Sequence, residues 1–141
     1  LSAYKGAQIK LKKAQHINES CQDLEELNQI LQTRNWSRLE RKGAERLIQT
    51  LVEACIGIAK HWLKQQGKVL PSDAYSVFET LTELQLIPNS ETEQWQKVIG
   101  MPNAIVHDYL NLDERVIKAI ITQKMYLQLQ DFALTTSTRF K

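Results

Sequence analysis

Residues 38–66 read RLERKGAERLIQTLVEACIGIAKHWLKQQ. Ala44, Leu47, Ile48, Leu51, Val52, Cys55, Ile56, Ile58, Ala59, Trp62 and Leu63 recur at steps of three and four or lie beside such steps. The period is helical, and the apolar stripe is too wide for a helix with one buried side. This segment is therefore a central helix contacted by several others. Ser37 is placed to cap its start, and Gly67 to end it.

Other periodic segments flank it. From about Ile9 to Gln32, Ala14, Ile17, Cys21, Leu24, Leu27 and Leu31 trace a narrower stripe, and Asn35-Trp36-Ser37 interrupts it. Pro71-Ser72-Asp73 opens a third helix that carries Tyr75, Phe78, Leu81 and Leu84 to Leu86. Pro88 breaks the chain. Ser90-Glu91-Thr92-Glu93 fits a capping box for a fourth helix through Trp95, Val98 and Ile99. A fifth starts near Asp113 and shows Val116, Ile117, Ile120, Ile121 and Leu127. Residues 1–8 and 135–141 are expected to be flexible ends of one domain over 1–141. No strand-like alternation is present, so the fold class is all-α, a four- to five-helix up-and-down bundle. Long helices in a short chain make a dimer the expected assembly.

Composition narrows the function. The 141 residues hold 43% hydrophobic and 24% charged side chains, five Gly and three Pro, which excludes collagen-like and disordered classes. No apolar run is long enough to span a bilayer, and no apolar signal core opens the sequence, so the expected address is cytoplasmic. Cys21 and Cys55 make neither a disulfide framework nor a zinc set. A net charge of +2 does not by itself imply nucleic-acid binding, so any such reading rests on where the charge sits.

The charge is concentrated at one place. Arg34, Arg38, Lys42 and Arg46 follow one another at four-residue steps, with Arg41 adjacent and Glu40 and Glu45 diluting the field. Such a row tracks an RNA backbone, meets an acidic partner, or is simply a solvated face. Lys10, Lys12 and Lys13 form a smaller cluster. His16 and His61 read as structural, and Trp36, Trp62 and Trp95, irregularly spaced, as core or interface.

Residues 99–110 read IGMPNAIVHDYL. Asn103 followed by Ile105-Val106-His107-Asp108-Tyr109, together with the Glu53-Ala54-Cys55-Ile56 helix, resembles HEPN-domain toxins of the HepT type. The resemblance runs from about Arg38 to Phe132. It implies a HEPN-like helical bundle, dimeric, acting as a metal-independent endoribonuclease with no cofactor and with tRNA a natural target. It also implies a cognate minimal nucleotidyltransferase that transfers AMP to the motif tyrosine, here Tyr109. The family signature is R-x-x-x-x-H-x-Y. His107 and Tyr109 match it, and Asn103 stands where Asn often follows the Arg. The Arg position itself holds Pro102. Proline has no charge and no N–H, so the phosphate clamp that a guanidinium would supply is missing while the proton-transfer group is kept. The resemblance thus implies impaired catalysis in this chain. The alternative is a non-catalytic helical substrate-binding or scaffold subunit of a nucleotidyltransferase.

Overall fold

The computed structural model describes residues 2–91, 95 and 114–137. Among these residues there are five α-helices and no strand: α1 (Ser2–Leu31), α2 (Arg38–Gln65), α3 (Ala74–Glu83), α4 (Glu114–Thr122) and α5 (Tyr126–Ser137), with a 3-10 turn at Asn89–Glu91. The all-α expectation holds, and α2 is the centre of the bundle, packing on α1, α3, α4 and α5.

The start of α2 follows from its cap. Ser37 Oγ accepts from the Glu40 amide at 3.1 Å, and the Glu40 carboxylate accepts from the Ser37 amide at 2.8 Å, a reciprocal capping box. Its inward face buries Ala44, Ile48, Leu51, Val52, Cys55, Ile58, Ala59 and Leu63. Trp36 turns in from the α1–α2 connection and donates its indole N–H to the Leu27 carbonyl at 2.8 Å. Two buried thiols tie α5 to the other long helices: Cys21 donates to the Tyr126 carbonyl at 3.9 Å and Cys55 to the Leu129 carbonyl at 3.4 Å.

Three helices end in the same way. At α2 the left-handed residue is Gly67, φ 72°, with Lys68 N–H donating to Leu63 and Gly67 N–H to Lys64. Gln85 (φ 63°) repeats this pattern after α3, with Leu86 donating to Leu81, and Lys124 (φ 54°) after α4, with Met125 donating to Ile120. Leu81–Leu86 and Ile120–Met125 are the apolar pairs that accompany this motif.

These ends correct several expected boundaries. The third helix stops at Glu83, not Leu86. The expected fifth helix is two, α4 and α5, separated at Gln123–Met125. The first helix starts at Ser2, not near Ile9, and its Ala3, Lys5, Ala7 and Gln8 are strong helix formers. At the other end α5 continues to Ser137 and buries Thr136. Asn89–Glu91 winds as a 3-10 turn, and Thr92 and Glu93 of the expected capping box lie outside the described residues, as does the expected fourth helix apart from Trp95.

Candidate functional site

Pro102, Asn103, His107, Asp108 and Tyr109 lie outside the described residues. What the structure describes is the frame on either side of them. On the N-terminal side Trp95 is buried, stacked on Phe78 with ring centroids 4.8 Å apart and edge-on to Phe132 at 5.1 Å. Phe78 and Phe132 meet at 5.6 Å, so α3, α5 and Trp95 share one aromatic cluster. Its geometry is that favoured by ring quadrupoles. The Trp95 indole N–H is buried without a hydrogen-bond partner among the described residues.

On the C-terminal side the first described residue is Glu114. Its carboxylate pairs with Arg41 of α2 at 3.7 Å and with Lys118 one turn along α4 at 3.4 Å. The chain that carries the motif therefore rejoins the described fold beside the first turns of α2, where the basic row begins.

That row is shorter than expected. Arg34 precedes α2, and its guanidinium is held by Glu40 in a two-pronged pair at 2.8 and 2.9 Å. Glu40 is thereby occupied twice, by Arg34 and by its capping role, and its carboxyl is pushed down to about 2, chiefly by the Arg34 hydrogen bond. The row that remains is Arg38, Lys42 and Arg46, all exposed on α2. Arg46 donates to Gln49 at 3.3 Å, and Gln49 to Glu53 at 3.3 Å.

The remaining candidates sort by burial. Trp36 is in the core, and Trp62 packs half-buried against it, as expected. His16 and His61, expected to be structural, are exposed, and His61 Nε2 is 3.3 Å from the Gln65 amide one turn along α2. Burial pushes the Cys21 thiol up to about 11 and raises Cys55 further, which disfavours the thiolate form in both. Among the described residues no three His, Cys, Asp or Glu side chains stand together to hold a metal ion. No helix among them is long and apolar enough to cross a membrane.

One constellation had no sequence signal. Glu25 accepts from the buried Tyr126 hydroxyl and pairs with Lys124 at 3.3 Å, beside a groove of about 400 Å³ lined by Cys21, Gln22 and Leu127. The Tyr126 hydrogen bond lowers the Glu25 carboxyl, while burial and that carboxylate raise the tyrosine. The cluster exists because the left-handed turn at Lys124 swings Tyr126 back onto α1, and nothing in the sequence marks that turn.

A family model described as Ribonuclease HepT-like matches residues 17–135. An mRNA nuclease HepT from Shewanella oneidensis is 34% identical over 87 residues, 60% of this chain and 61% of that protein. The chain thus spans about three fifths of that relative's length. A crystal structure of a toxin–antitoxin with AMP-PNP superposes with a TM-score of 0.70 at 22% identity, covering 89% of this chain and 97% of that one. At that identity the likeness is one of fold.

Proposed function

The chain belongs to the HepT-like ribonuclease family, and from that premise we propose that it is the ribonuclease component of a toxin–antitoxin pair. The observation that carries this reading is the family match across 17–135, which contains the Asn103–Tyr109 motif together with α2. His107 takes the proton from an RNA 2′-hydroxyl. That oxygen attacks the neighbouring phosphorus, and the bond to the 5′-oxygen breaks as that oxygen gains a proton. The products are a 2′,3′-cyclic phosphate and a 5′-hydroxyl, and the step draws on no metal. Two motifs of a dimer face one cleft. Arg38, Lys42 and Arg46 hold the RNA, of which tRNA is one candidate, by its phosphates. A partner nucleotidyltransferase silences the site by adding AMP to Tyr109, which places bulk and negative charge beside the phosphate.

Pro102 leaves the transition state without its guanidinium. Loss of one such charged donor costs about 100- to 1000-fold in rate. The test is RNA cleavage in EDTA by three forms side by side: the chain as it stands, Pro102→Arg, and Pro102→Arg with His107→Ala. The expected order is slow, fast, inert. An inert Pro102→Arg form removes the ribonuclease reading. It is then replaced by a non-catalytic helical subunit of a nucleotidyltransferase, the reading that Pro102 itself favours.

A further inference from the structure

The outward face of α2 extends well past the three cations already named. Arg38, Lys42, Arg46, Gly57, Lys60 and Lys64 share one face with Gln49 and Glu53 between them, successive positions being three or four residues apart. Arg38, Lys42, Arg46 and Lys64 are exposed, and Lys60 is half-buried. Arg38, Lys42, Lys60 and Lys64 form no ion pair with a described residue. Counted over Arg38–Gln65, six Lys and Arg face three Glu, an excess of three positive charges, whereas the whole chain has an excess of two. The rest of the molecule is therefore slightly acidic, and α2 is its electropositive element.

Gly57 interrupts the row in open space: it is exposed, and a Cβ there would meet nothing within 4 Å. Alanine would fit and would favour the helix by about 1 kcal/mol. A bare backbone at such a point suits close approach by a ligand.

We propose that this face of α2, from Arg38 to Lys64, is a track for one strand of single-stranded RNA, with Gly57 the point where a ribose or base lies against the helix. This rests on the ribonuclease reading above. The row is one side chain wide and about 39 Å long at 1.5 Å per residue. Within Arg38–Lys42–Arg46 and within Lys60–Lys64 the cations advance about 6 Å per four-residue step, comparable with successive phosphates of one strand; about 21 Å separates the two groups, with Glu53 and Gly57 between them. A duplex would present two strands to a single row. A two-fold contact between copies of the chain would set the same cations against each other, which disfavours self-association through this face.

The experiment is fluorescence anisotropy with a labelled, 2′-O-methylated single strand of about ten nucleotides, and with the same strand as a duplex, between about 50 and 200 mM salt. The methyl groups block cleavage. Lys60→Ala with Lys64→Ala should weaken single-strand binding roughly tenfold and reduce the salt slope by about 1.4, that is about 0.7 for each phosphate no longer neutralised. Gly57→Leu, which changes no charge, should weaken it about as much with helix content unchanged, and Lys68→Ala, beyond the helix, should not. Wild-type affinity in the first two variants overturns the track while leaving the ribonuclease reading intact, as does tighter binding to the duplex. A dimer that becomes a monomer on Gly57→Leu assigns the face to a second copy instead. If neither the chain as it stands nor Pro102→Arg binds or cleaves RNA, the ribonuclease reading falls and the track with it.

Discussion

Arg41 Nη1 on α2 stands 3.7 Å from Glu114 Oε2 on α4. Glu114 is the first described residue after 96–113, so this pair joins the chain leaving the motif to the helix that carries the basic row. Both side chains are about 40% exposed, and Lys118 competes for the same carboxylate. An ion pair so wet contributes between nothing and about 1 kcal/mol to stability.

Stability and function should therefore separate at Arg41. Arg41→Glu is expected to change the unfolding free energy by less than about 1 kcal/mol in urea, with Glu114→Arg restoring part of it. In the Pro102→Arg background the same change should slow RNA cleavage more than about tenfold, because it puts a carboxylate beside the proposed RNA path. Cleavage that falls only in proportion to folded protein would make the pair a surface contact and nothing more.

The left-handed helix ends give a second expectation. A left-handed non-glycine residue costs about 1–2 kcal/mol. Gln85→Gly should stabilise the protein by about 1 kcal/mol. Lys124→Gly should gain less, because it also removes the ion pair with Glu25 at 3.3 Å. Equal denaturation midpoints for Gln85→Gly and wild type would refute the strain argument.

The same residues explain what could be read from the sequence. The α2 core face, Ser37 as cap and Gly67 as stop were legible because each is a local rule spelled by the residue type best suited to it. The ends at Glu83 and Thr122 were not, because Gln85 and Lys124 occupy positions where glycine is the usual signal, and tertiary packing of Leu86 and Met125 bears the cost. Arg34 looked like part of the basic row from spacing alone. Its capture by Glu40 depends on the chain turning at Asn35–Ser37, which periodicity does not encode. Residues 102–109 carry a pattern of types in the sequence and lie outside the described residues, whereas the Arg41–Glu114 pair spans two distant segments and needed the fold.

Glu40 sets an acid limit on α2. Its carboxyl is lowered from 4.5 to about 2, so the stability it contributes is present above pH 4.5 and is lost as pH falls toward 2. Glu40→Gln should flatten the loss of stability in that window and leave the neutral-pH helix start in place, since Gln also serves in a capping box. Thermal melts of both forms across that window decide it. Parallel curves would mean that Arg34 and Ser37 leave the carboxyl unperturbed.

Trp95 anchors the chain just before the motif. Trp95→Ala should cost about 3–5 kcal/mol by emptying the space between Phe78 and Phe132. Trp95→Phe should cost clearly less, because it removes a buried N–H without a described partner as well as volume. If the two variants unfold at the same denaturant concentration, the indole is not held in this cluster.

The proposed partner should leave a mark on one residue. Incubated with ATP and a nucleotidyltransferase of the proposed kind, the chain is expected to gain mass in whole AMP units on Tyr109. Tyr109→Phe should abolish the gain while changing stability by no more than about 1 kcal/mol, the net worth of a single hydroxyl hydrogen bond. The modified protein should also bind RNA more weakly and with a shallower salt slope, because the added phosphate cancels part of the positive field that draws the backbone in. Intact mass spectrometry and the anisotropy series read both effects on one sample. Labelling that persists in the Phe variant places the modification elsewhere. Labelling that leaves RNA affinity untouched would mean that AMP on Tyr109 silences the protein by some route other than repelling its substrate.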